Sequence, residues 1–256
     1  MTGLVDNSYA IFVATLIGLS GAAYLGDYAR RRFVGRKDAD RADFGEVLAA
    51  SLTLLGLLIG FTFSMAASRY DQRKNYEEAE ANAIGTAWLR ADLLPDAQAA
   101  RARDLLRLYL DQRILFYTTR EAPRLTQIDA GTAALQANLW SVVRAAAAAQ
   151  PSPVMALALS GVNDVVNAQG FTQSAWWNRI PLAAWTLMAA VAVCCNLLLG
   201  FHARKSGFLL FLISPLIIAI AFFLIADIDS PRGGVIRVMP HNLTSVAQTW
   251  ATPARP

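Results

Sequence analysis

The residue types that carry most protein chemistry are sparse in this sequence and poorly spaced for it. Histidine occurs twice, at His202 and His241, and neither has carboxylate or cysteine company at metal-ligand spacing. The two cysteines, Cys194 and Cys195, are adjacent. Neighbouring cysteines make a strained disulfide, and two thiols do not complete a tetrahedral zinc site, so they read as small apolar core residues. No nucleophile elbow, phosphate-binding glycine loop or dinucleotide fingerprint is present. Without a nucleophile, base and orienter in one pattern, the sequence reads as a non-enzyme with no cofactor and no metal. Two acidic groups remain. Glu77, Glu78 and Glu80 could hold a divalent cation, but they follow Arg73 and Lys74 and read as a solvated helix face. Asp227 and Asp229 stand at the foot of an apolar run. Carboxylates there cap a neighbouring helix N-terminus or pair with an arginine, for which Arg69 and Arg232 are candidates.

The remaining chemistry is conduction. Thr53, Leu57, Phe61 and Met65 recur every four residues in an uncharged apolar run, along one slowly drifting helix face. Two readings are open for that face. It packs on other spans of the same chain, or several copies surround an axis and it lines a narrow tube. An apolar constriction of that kind gates ions by dewetting, without a charged ring.

The elements that must position this face follow from composition. Of 256 residues 55% are apolar and 16% are charged, against about 25% charged in soluble proteins. Mean hydropathy is +0.36. The chain is in the membrane class, and its net charge of +4 is explained by basic residues flanking spans, with no nucleic-acid partner. Four spans are predicted: 9–26 (Tyr9–Gly26), 47–67 (Val47–Ala67), 181–201 (Pro181–Phe201) and 207–226 (Gly207–Ala226). The first lacks the basic n-region of a secretory signal and reads as an uncleaved span. Its Gly18 and Ala22 form a small-xxx-small pair for close helix contact. Pro215 predicts a kink in the fourth span.

The second span is predicted to run on as a helix to about Leu94, where Pro95 ends it. Residues 68–178 form a helical soluble layer, with further helices over Ala97–Thr119, Thr126–Ala149 and Pro153–Gln169, the last ending near Gly170. Trp176 and Trp177 sit where interfacial aromatics stand before a span. The tail, 235–256, reads as loosely ordered. The predicted fold is all-α: a four-helix transmembrane protein with an inserted helical soluble layer between spans 2 and 3.

Ile59-Gly60-Phe61-Thr62-Phe63-Ser64-Met65-Ala66-Ala67-Ser68-Arg69-Tyr70 resembles the second membrane helix of bestrophins. Ile180-Pro181-Leu182 is similar to the opening of their third span. Ala226-Asp227-Ile228-Asp229-Ser230-Pro231-Arg232-Gly233 is similar to the segment that closes their fourth. The sequence is more similar still to bacterial bestrophin-like membrane proteins, through Ser68-Arg69-Tyr70-Asp71, Glu80–Thr86, Leu89–Pro95 and Asp227-x-Asp229-x-Pro231-Arg232-x-Gly234, over about residues 10–240. The resemblance implies a pentameric homo-oligomer in the lipid bilayer that conducts inorganic ions, its second helices lining a hydrophobic neck. It places Phe61 on the innermost ring, Leu57 on the middle ring and Thr53 on the last, where the family has an apolar residue. Calcium control, known for animal members, does not carry over, because Gly233–Trp250 contains no acidic residue.

Four spans put both termini and the soluble layer on one side of a bacterial inner membrane. Bestrophins keep that layer in the cytoplasm. The short loops here hold Arg30, Arg31, Arg32, Arg36, Lys37, Arg41, Arg204 and Lys205, whereas the N-terminal flank holds no basic residue. The positive-inside rule therefore favours cytoplasmic loops and a periplasmic soluble layer. The function expected is an oligomeric ion channel or channel-like membrane protein. The alternative is a non-conducting membrane scaffold or sensor whose soluble bundle binds a partner.

Overall fold

The computed structural model describes residues 7–33, 41–202 and 210–251, and among these every regular element is helical. The basic residues Arg36, Lys37, Arg204 and Lys205 lie outside the described residues. Two compact units divide at Tyr70/Asp71, at Asn178/Arg179 and at Arg237/Val238.

The first unit holds α1 (Ser8–Phe33), α6 (Leu182–His202), α7 (Leu210–Asp229) and the first part of α2 (Arg41–Arg90). Four helical segments are long and apolar enough to cross a membrane. Helix α1 packs against both α6 and α7. Leu19, Leu55, Met188, Ala192, Cys195, Ile218 and Phe222, drawn from all four helices, form the core. Of the expected small pair on α1, Ala22 is buried, but Gly18 has open space where a side chain would stand, and the tight points are Gly26 on α1 and Gly200 on α6. Cys195 is buried as expected, but Cys194 is exposed on the helix surface. Pro215 lies inside α7, which runs unbroken through it.

The second unit holds the rest of α2, a 3-10 turn (Ala91–Leu93), α3 (Asp96–Thr118), α4 (Ala122–Ala149), α5 (Pro153–Trp177) and α8 (His241–Ala251). Helix α3 packs on α4, α4 on α5, and α8 on α3. Prolines mark the helix starts: Pro95 precedes α3, Pro123 stands in the first turn of α4, Pro153 opens α5 and Pro240 precedes α8. A missing N–H costs nothing in a first turn, and the fixed φ suits it. Ser152 completes the start of α5, its hydroxyl accepting from the Met155 amide at 3.2 Å.

Three expectations need correction here. Helix α5 does not end near Gly170 but continues to Trp177; Thr172, Ala175 and Trp176 are buried, so packing outweighs the helix penalty of one glycine. Trp176 is not an interfacial aromatic, since its ring meets Phe116 at 4.9 Å and Tyr117 at 5.4 Å within the bundle; Trp177 is exposed. The tail is not loosely ordered over its whole length: His241–Ala251 forms α8, and Leu243 is fully buried.

Candidate functional site on the second helix

Helix α2 is one uninterrupted element of 50 residues, about 75 Å at the standard rise. In its membrane part the buried positions are Leu48, Leu55, Thr62 and Ala66, whose spacing keeps them on one stripe. Thr62 meets its own helix, its hydroxyl donating to the Leu58 carbonyl at 2.7 Å. The opposite face is open. Phe61 is 63% exposed, Leu57 is 53% exposed, and Thr53 and Met65 are also exposed. Among the described residues, this chain's own spans do not cover that face. The Thr53 hydroxyl donates to the Ala49 carbonyl at 2.9 Å, so its proton is already engaged within the helix.

At the end of this stretch Arg69 lies 3.6 Å from an Asp229 oxygen. Both Asp229 oxygens also accept from the Ile180 amide at 3.2 Å. The foot of α7 is thereby tied to α2 and to the approach to α6. Asp227 does a different job. It accepts from the Ser8 hydroxyl at 2.9 Å and from the amides of Val235 and Ile236. A buried carboxylate with three donors is satisfied, and it fixes both the start of α1 and the chain leaving α7. Arg232 is half-buried in the turn that follows α7.

In the second unit the acidic run is not a solvated face. Glu78 and Lys74 are exposed, but Arg73, Glu77 and Glu80 are buried. Each engages a different element. Arg73 donates to the carbonyls of Ala175 and Asn178 at the end of α5, as a cation does at a helix C-terminus. Glu77 accepts from the Leu243 amide at 3.0 Å and the Asn242 side chain at 2.6 Å, capping α8. Glu80 accepts from Arg113 Nε and, at 3.4 Å, from Nη2; it also accepts from Tyr117 at 3.3 Å and Thr172 at 3.0 Å. Burial, and secondarily the Glu80 charge, pushes the Tyr109 and Tyr117 phenols well above their usual range. A readable signal existed: 73, 77 and 80 continue the stripe of 62 and 66, and Ile84 and Ala87 prolong it in apolar form. Charged residues on a core stripe are buried ones. No group of three or more metal-ligating side chains occurs among the described residues.

A sequence model described as the bestrophin-like domain matches residues 17–243. The chain belongs to the bestrophin-like family. Solved structures of similar shape include a point variant of a bacterial bestrophin homolog from Klebsiella pneumoniae, at 14% identity and a TM-score of 0.65, covering 95% of this chain and 99% of that one. A second structure of the Klebsiella pneumoniae homolog shares 16% identity with a TM-score of 0.62, covering 93% and 94%. A point variant of a membrane protein reaches 0.66 at 14% identity, covering 95% and 99%. At these identities the likeness is one of fold. No curated protein matches the sequence. This bestrophin-like chain is therefore an all-helical membrane protein with the bestrophin fold.

Proposed function

We propose that the chain forms a homo-oligomeric ion channel of the bacterial inner membrane, pentameric by family resemblance, with α2 lining the pore. The observation that carries this reading is the exposure of Phe61, Leu57 and Thr53 on one face of a membrane-crossing helix. Gly56 and Gly60, beside that face, have nothing within 4 Å of where a side chain would begin, which leaves room for neighbouring copies of α2. Rings of Phe61 and Leu57 would exclude water from a narrow axis and so gate by dewetting. Thr53 keeps acceptor capacity after donating to Ala49, so the third ring is the wettest. The constriction carries no charge, and the sign of the permeant ion must be set elsewhere.

Phe61→Ala is expected to raise single-channel conductance in purified protein reconstituted into planar bilayers. Silence from both wild type and variant, in protein shown to be intact and oligomeric, sinks the channel reading. A monomer or closed dimer in detergent would favour the scaffold instead.

For sidedness we place the basic loops in the cytoplasm and the soluble layer in the periplasm. Arg30 and Arg31 pair with Asp27 at 2.6 and 2.7 Å, but the positive-inside rule counts Lys and Arg rather than net charge. Alkaline phosphatase fused after Pro256 is expected to be active. An inactive fusion, with an active cytoplasmic reporter at the same site, reverses the placement.

A further inference from the structure

A surface cleft of about 380 Å³ opens between α3 and α8 in the second unit, lined by Arg107, Leu110, Asp111, Ala247, Trp250 and Ala251. That volume is within the range of small-molecule sites. Its functional groups are a guanidinium, a carboxylate and an indole. Arg107 and Asp111 are one turn apart on α3, so both side chains rise from the same helix face, with roughly 5–6 Å between their Cβ atoms. Neither forms an ion pair among the described residues. Asp111 is thus without a counter-charge there, and Arg107, which rests over the Trp88 ring, keeps N–H groups that no carboxylate takes up among the described residues.

The indole is held as a platform. Trp250 stacks on Trp88 with ring centres 4.1 Å apart and planes within 20°. Arg107 and Arg103 lie over the Trp88 ring at 5.0 and 5.6 Å, and Arg103 is paired with Asp92. Glu77 fixes the start of the helix that carries Trp250. Trp250, stacked on a Trp88 ring that itself carries the cation–π contacts, offers a preformed wall.

The geometry points to a small zwitterion, an α-amino acid with an apolar side chain, as the ligand of this cleft. Its carboxylate would meet Arg107 as a charge-assisted pair, its ammonium would meet Asp111, and its side chain would lie on Trp250 and Leu110. A simple anion would face Asp111, a simple cation would face Arg107, and a neutral aromatic would leave both charges unused. The two charges of an α-amino acid are separated by one carbon, which matches two side chains one helical turn apart.

The test is calorimetric titration of the full-length protein in detergent with L-phenylalanine, L-tryptophan and L-leucine in turn. Phenethylamine and 3-phenylpropionate serve as half-ligands. Saturable binding of at least one amino acid is expected, with the half-ligands weaker by about tenfold or more. Arg107→Gln and Asp111→Asn, both at exposed positions, should each weaken that binding by about tenfold or more with helix content unchanged, and Trp250→Leu should remove it. The proposal is overturned if none of the three amino acids binds, if both charge variants bind as wild type does, or if a half-ligand binds equally well. The readout is binding rather than current, so its failure is separable from failure of the channel reading.

Discussion

Glu80→Ala is expected to cost the protein about 3–5 kcal/mol, the range for removing one partner of a buried ion pair. Glu80 and Arg113 are both 0% exposed. The substitution leaves a guanidinium with no counter-charge, and it strips the acceptor from Tyr117 and Thr172 in the same step. The arginine has no escape by losing its proton. In the wild type burial lowers its pKa and the Glu80 charge outweighs that; the substitution removes this support, but a guanidinium stays protonated in proteins even so. An unpaired charge in this interior therefore has to drag in water or open the contacts of α2 with α3 and α5. Glu80→Gln keeps an acceptor and loses the charge, so it should fall between wild type and Glu80→Ala. Glu80→Leu with Arg113→Met removes both charges and should recover most of the loss, because matched apolar replacements of a buried pair are often neutral. The measurement is the thermal midpoint of detergent-solubilised protein followed by helical circular dichroism. A Glu80→Ala midpoint equal to wild type would mean that this pair holds nothing together.

That pair also marks where the sequence stopped being legible. The spans were readable because a bilayer demands a run of about twenty apolar residues, and the residues at the foot of α7 were readable because carboxylates at a membrane boundary need partners. Arg69 and Asp229 are close, although the Asp227 partners, Ser8 and the 235–236 amides, lie in parts of the chain that hydropathy does not connect. Glu77 and Glu80 looked solvated because Arg73 and Lys74 precede them. Charge alternation describes neighbours along the helix, whereas burial depends on groups far along the chain: Arg113, Thr172 and the start of α8. The same distance effect hid α8. Its stripe of Leu243, Val246, Ala247 and Trp250 has helical spacing, but the sequence alone shows neither the Glu77 cap nor the core position that Leu243 fills. The open face of α2 lies between these cases. Its periodicity is visible in sequence, but a face covered by its own chain and one left bare share that periodicity and differ only in burial.

Gly200→Ala is expected to be more damaging than its single methyl suggests, because the atoms in its way are backbone. A Cβ at Gly200 would fall on the Ala23 carbonyl oxygen and stand 2.8 Å from the Ala23 carbon and 3.0 Å from the Asp27 nitrogen. On the facing helix, a Cβ at Gly26 would fall on the Leu197 carbonyl oxygen and stand 3.0 Å from the Phe201 nitrogen. Side chains can rotate away from an intruding methyl, but helical backbone cannot, so α1 and α6 would have to separate. Within a membrane that separation is not resisted by a hydrophobic force, since lipid is as apolar as the helices, and close packing is what holds them. The loss should reach about 3 kcal/mol or more, the upper end for overpacking a core. Gly18→Ala supplies the control on the same helix as Gly26. It meets nothing within 4 Å and replaces a poor helix former with the best one, so it should be neutral or slightly stabilising. Size-exclusion profiles and thermal midpoints in detergent would compare the two variants. Equal stability of Gly200→Ala and Gly18→Ala would mean that α1 and α6 do not meet through their backbones.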